Sequence, residues 1–96
     1  MSVEIDSLLV RSPEIRNGRP RIAGTGITVH RIAAWYKLGH SPEEIARRYG
    51  HLTVAQVYAA LAYYHANLAE IEAGLATDET TAEILEAEHN DRLQPA

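Results

Sequence analysis

The residues able to do chemistry are few and widely spaced. Five histidines stand at His30, His40, His51, His65 and His89. No two have the His-x-x-x-His or His-Glu-x-x-His spacing that turns a pair of imidazoles toward one zinc ion, so no metal ligands are assigned. His30, His40 and His51 converge only if turns bring them together, and solvated or locally bonded side chains are the plainer reading. The acids of the C-terminal half fall at Glu70, Glu72, Asp78, Glu79, Glu83, Glu86, Glu88 and Asp91. None is set beside a base in a recognisable acid–base arrangement. The chain has no cysteine, which excludes thiol chemistry, a disulfide framework and the commonest structural zinc ligand. Gly18 and Gly24-Thr25-Gly26 lack the Gly-x-Gly-x-x-Gly spacing and the following lysine of a phosphate loop. These glycines are read as allowing tight turns. The residues therefore predict a binding protein with no catalytic residue, metal or cofactor.

Binding chemistry starts from charge. The formal net charge is -4, but it is unevenly spread. Residues 1–53 hold eight Arg/Lys and five acids, whereas residues 54–96 hold one Arg and eight acids. Two faces with different partners, or neutralisation of one half by the other inside a dimer, would follow from this asymmetry beside the plainer reading of solvated surface. No basic stretch precedes an apolar run at the start, and no run of 18 apolar residues exists, so neither a signal peptide nor a membrane span is expected. The expected location is cytoplasmic. Ninety-six residues suit one domain with a small core, for which oligomerisation is a common source of stability.

The element that must position everything else runs from Thr53 to Leu75. Val57, Leu61, Tyr64, Leu68, Ile71 and Leu75 recur at spacings of four and three, the period of one helix face. Thr53 with Gln56 fits a capping box, and Gly74 is placed to break the helix. Ahead of it, Ser41-Pro42-Glu43-Glu44 reads as a cap, a proline at the first helical position and a box-closing acid, with Gly50 as terminator. Ile45 and Tyr49 share the buried face of this short helix. Val29, Ile32, Ala33 and Tyr36 have helical spacing, so a further helix spans about Thr28 to Leu38, with Trp35 on its other side as a contact residue. Leu52, Val57, Leu61, Ile32, Tyr36 and Ile45 are the expected core. Earlier still, Ile5, Leu8, Leu9 and Val10 suit one short strand and Arg21-Ile22 another, separated by Ser12-Pro13 and the turn Asn17-Gly18.

The expected fold is mainly α. It has a three-helix, homeodomain-like helix-turn-helix core, a short N-terminal β-arm at about residues 1–27 and a C-terminal helical extension. Residues 1–75 form the single domain. Residues 76–96 form the acidic extension, with a short helix from the Thr80–Glu83 box and a disordered end from Asn90 to Ala96.

Two binding classes fit this frame. A helix-turn-helix reads duplex DNA with the start of its second helix, which makes His51, Thr53 and Gln56 candidate DNA contacts, with Arg19, Arg21, Arg47 and Arg48 as phosphate ligands. Against this, no Arg or Lys occurs from 53 to 75, although phosphate neutralisation supplies much of such affinity. The other class is protein capture. Leu68, Ile71, Leu75, Ile84 and Leu85, with Glu83 and Glu86, form an acidic, weakly apolar segment suited to ordering on a basic groove such as that of a nuclease.

Three motifs in order resemble a known family. They are Gly18-Arg19-Pro20-Arg21-Ile22-Ala23-Gly24-Thr25-Gly26-Ile27-Thr28-Val29, then Gly39 with Ser41-Pro42-Glu43-Glu44-Ile45, then His51-Leu52-Thr53 with Val57 and Ala60-Leu61-Ala62-Tyr63-Tyr64. Over about residues 5 to 75 the chain is similar to the bacterial domain of unknown function 433 (DUF433). The resemblance implies a homeodomain-like fold with a β-arm, commonly a homodimer, and an antitoxin-like protein that neutralises a toxin of the PIN-like nuclease type. A DNA-binding regulator without a toxin partner is the alternative. Gly26 stands where the family usually has Arg, and Thr28 and Gly50 stand where Pro is usual. Loss of that Arg removes a planar five-donor group.

Overall fold

A computed structural model describes residues 4–78. The chain opens with a 3₁₀ turn at Ile5–Leu8 and pairs Leu9–Val10 (β1) with Arg21–Ile22 (β2) in an antiparallel ribbon, Leu9 opposite Ile22 and Val10 opposite Arg21. Only Leu9 and Val10 of the expected first strand are extended, because Ile5 and Leu8 belong to the turn. Between the strands a second 3₁₀ turn, Arg16–Gly18, carries the chain through positive φ at Arg16, Asn17 and Gly18, the conformation that Asn-Gly favours.

Three helices follow, Val29–Lys37 (α1), Pro42–Tyr49 (α2) and Val54–Ala66 (α3), and residues 68–78 form α4. Each start has the expected cap. The Thr28 hydroxyl accepts the Arg31 amide, and Ser41 with Glu44 and Thr53 with Gln56 close reciprocal boxes. The departures at 28 and 50 acquire a local reason here. A proline at 28 would lack the capping hydroxyl, and Gly50 ends α2 at φ 77, which proline cannot adopt.

The long helix is interrupted, contrary to its periodicity. Asn67 leaves helical geometry at φ -135, ψ 47 and its side-chain amide donates back to the Tyr63 carbonyl at 3.1 Å. Its own carbonyl then accepts the Ile71 amide at 3.2 Å and starts α4. Gly74, expected to end the helix, lies inside α4.

The core gathers Ile22 from the ribbon, Val29, Ile32 and Ala33 from α1, Ile45 and Ala46 from α2, Leu52, then Val57, Ala60, Leu61 and Tyr64 from α3 and Ile71 from α4. The α1–α3 and α2–α3 pairs are the main contacts. Tyr36, expected in this core, is 39% exposed in the last turn of α1, edge-on to the His65 ring at 5.7 Å between centroids. Tyr49 packs at the core margin and its hydroxyl accepts the Trp35 indole N–H at 2.9 Å.

Candidate functional site

The two charged halves meet within one chain. Arg11 bonds Glu70 at 2.8 Å, Arg19 bonds Asp78 at 2.6 Å and Lys37 bonds Glu72 at 2.6 Å, so basic residues of the ribbon segment and α1 hold the acids of α4. Tyr63 joins the first pair, accepting from Arg11 and donating to Glu70 at 2.9 Å. The Tyr64 hydroxyl donates to Glu72, and that bond pushes its pKa up to about 12. All three ion pairs are partly solvated, so they orient α4 more than they stabilise it.

Beneath α4 lies His30. It is 4% exposed, and its Nδ1 is buried without a hydrogen-bond partner among the described residues. Its other ring edge faces Gly74, where an added Cβ would come within 2.5 Å of Cδ2. Burial first, and then the nearby Arg19 charge, push the imidazole pKa below its ordinary value, while Asp78 opposes. The unfolded chain takes up this proton more readily than the folded one, so stability is lost as pH falls below about 6.5. Asp78 is held low by its bond from Arg19 and Glu72 by its bond from Lys37. At Glu70 burial pushes upward, and the bonds from Arg11 and Tyr63 outweigh it. The stability these acids give is present above ordinary carboxylate pKa values and lost as pH falls through their depressed ones. The urea midpoint is therefore expected to fall in two steps between pH 7 and pH 3, the upper from His30 and the lower from the acids of α4. His30→Leu should remove the upper step alone. A wild-type midpoint that is flat from pH 7 to 5 would contradict this assignment.

Several of the residues expected to contact DNA have hydrogen-bond partners within the chain. Arg19 is bonded to α4, and Arg21 is 8% exposed and donates to Thr25 O at 3.2 Å and to Ser12 Oγ at 2.9 Å. Thr53 and Gln56 spend their oxygens on the α3 cap, and His51 Nδ1 lies 2.9 Å from the Tyr49 carbonyl. Arg47 and Arg48 are exposed and have no carboxylate partner among the described residues. They line a shallow, open concavity of about 260 Å³ with His40 and Glu44. The Arg48 guanidinium carbon lies over the Trp35 ring, 3.9 Å from its centroid, a cation–π contact.

Of the residues expected to hold a protein partner, Leu68 is 47% exposed, Leu75 packs at the core margin and Ile71 is fully buried, so Ile71 serves the core. Glu83, Ile84, Leu85 and Glu86 lie outside the described residues, as do the expected helix from Thr80 and the end at 90–96. Sequence reasoning missed the His30–Gly74 contact. Its only trace was a glycine inside an otherwise unbroken helical pattern. At Gly26 a guanidinium is present after all, supplied by Arg16, whose Nε donates to the Gly26 carbonyl at 3.1 Å.

These features define a small, mainly helical protein with a two-stranded ribbon and an acidic helix strapped over its basic segment. The sequence profile of the family described as "Protein of unknown function (DUF433)" matches residues 9–64, more than half of the chain. The chain belongs to this family. The match runs from β1 through most of α3 and leaves α4 outside. The crystal structure of a DUF433 member protein from Anabaena variabilis ATCC 29413 is similar, with a TM-score of 0.69 and 28% identity over 75% of this chain and 71% of that one. No curated protein matches the sequence.

Proposed function

We propose that this chain is an antitoxin-like protein that binds and neutralises a toxin of the PIN-like nuclease type. It acts in the cytoplasm as a homodimer built on a homeodomain-like helix-turn-helix core. The observation that carries this reading is the partition of charge. Among the described residues, Glu70, Glu72 and Asp78 are already matched to Lys37 and two arginines. The sequence beyond them adds five acids, Glu79, Glu83, Glu86, Glu88 and Asp91, against Arg92 alone. A surplus of that sign complements a groove that binds nucleic acid, which has to be basic. The proposed contacts are Glu83, Ile84, Leu85 and Glu86, with Leu68 and Leu75 at the base of the segment.

A second reading, a DNA-binding regulator with no toxin partner, draws on Arg47 and Arg48, which carry no carboxylate partner among the described residues, and on the amide NH₂ of Gln56, which has no acceptor among them. It is the weaker reading because α3 contains no Arg or Lys.

The test uses the full chain and a chain ending at Asp78, which keeps the Arg19 ion pair, as baits in native cell extract. The full chain is expected to hold a stoichiometric protein whose ribonuclease activity disappears when more full chain is added. The shorter chain should keep its helical circular dichroism and lose the capture. Equal capture by both baits, or a captured nuclease that stays active, would refute this placement. Retained duplex DNA that salt releases would favour the second reading.

A further inference from the structure

The outward face of α3 is the surface with the clearest unexplained character. Val54, Ala55, Tyr58, Ala62, His65 and Ala66 fall within one arc of the helix, which borders the buried Leu61 and lies away from the buried Val57, Ala60 and Tyr64. Tyr58 is 51% and Val54 39% exposed. Residues 54–66 contain no Asp, Glu, Lys or Arg, so the helix is uncharged around its whole circumference. Helices of that kind are covered on both sides. Within the described chain only one side of α3 is covered.

We propose that a second copy of this chain covers it, through an antiparallel α3–α3 contact about a two-fold axis. This rests on the homodimer reading above and names its surface. Three features select a second copy. First, a chain of net charge -4 repels its copies, and this face brings no like charges together. Second, the side chains are self-complementary in size. An antiparallel register centred on Ala60 sets Tyr58 opposite Ala62 of the second copy, Ala55 opposite His65, and Val54 opposite Ala66. Every pair joins a larger side chain to a smaller one, as an isologous contact requires. Third, the rims are complementary. Glu43 bonds the Tyr58 hydroxyl at 3.1 Å near the start of α3, while His65 stands at its end beside Tyr36. Antiparallel docking brings the Glu43 end of one copy to the His65 end of the other. The same contact closes off the helix that a helix-turn-helix would place in a DNA groove, which accounts for the lack of basic residues on it.

Light scattering on the purified full chain across a concentration series tests this. The wild type is expected at twice the 10.6 kDa chain mass. Tyr58→Glu and Ala62→Glu, tested separately, place charge at positions that are exposed in the single chain. Each should keep the wild-type circular dichroism and raise the dimer dissociation constant by at least ~100-fold, the effect of several kcal/mol of buried like charge. Leu38→Glu, exposed but off this face, should remain dimeric. Folded, dimeric variants at both 58 and 62 would overturn the surface and leave the homodimer reading standing. A monomeric wild type would overturn both, and would assign the face to residues 79–96 or to a different protein.

Discussion

Replacing Gly74 by valine is expected to destabilise the protein by about 3 kcal/mol, although glycine is the poorer helix former. Propensity alone gives the opposite sign, a gain of at most about 0.5 kcal/mol when valine replaces glycine inside a helix. The contact decides. A Cβ at 74 would lie 2.5 Å from His30 Cδ2, with Arg19 Nη2 3.3 Å away. The His30 ring is 4% exposed within close-packed surroundings, so α4 is expected to lift. Lifting withdraws Ile71 from the core and strains the Arg19–Asp78 pair. The partner substitution supplies the check. His30→Ala removes the ring that valine meets, so the double variant should be more stable than the sum of the single effects by at least about 1 kcal/mol. Urea unfolding of the four proteins gives the coupling. Additive losses would mean that Gly74 is not reserved for His30.

That contact also marks where sequence reading stops. The helix starts were legible because capping is chemistry between residues three apart, and Ser41 with Glu44 and Thr53 with Gln56 are bonded as their spacing implies. The ribbon was legible from the apolar Leu9-Val10, from Arg21-Ile22 and from the Asn-Gly turn between them. What periodicity could not supply was the fate of a glycine in mid-helix. Gly74 has the same signature as a terminator and as a site of close approach, and only the position of His30, 44 residues earlier in the chain, separates the two.

The candidate site shows the same division. The opposed charge of the two halves was plain in the sequence, and a neutralisation across a dimer was among its readings. The ion pairs Arg11–Glu70, Arg19–Asp78 and Lys37–Glu72 make that neutralisation inside one chain. Their spans of 59, 59 and 35 residues are set by tertiary folding and have no local pattern. Arg21 illustrates the cost of reading charge as exposure. Its guanidinium is folded into the ribbon, donating to Ser12 Oγ and Thr25 O, so it holds the arm together.

Leu61 and Leu68 belong to one stripe by spacing, and their truncations should nonetheless differ widely. Leu61→Ala is expected to cost about 2–5 kcal/mol, because Leu61 is 5% exposed among Ile32, Ile45 and Val57, where a deleted isobutyl group leaves a cavity. Leu68→Ala is expected to cost less than about 0.5 kcal/mol, because its side chain is 47% exposed in the first turn of α4. Seven residues apart on an unbroken helix, the two would share a face. The break at Asn67 separates them, since its φ of -135 rotates α4 so that Ile71 takes the core position and Leu68 turns outward. The pair is thus a test of the break itself. Losses of similar size in urea unfolding would mean that a continuous helix carries the stripe through to Leu75. A large loss at 61 with almost none at 68 is the result that an interrupted helix requires. It would also leave Leu68 free for the partner contact proposed at the base of the acidic segment.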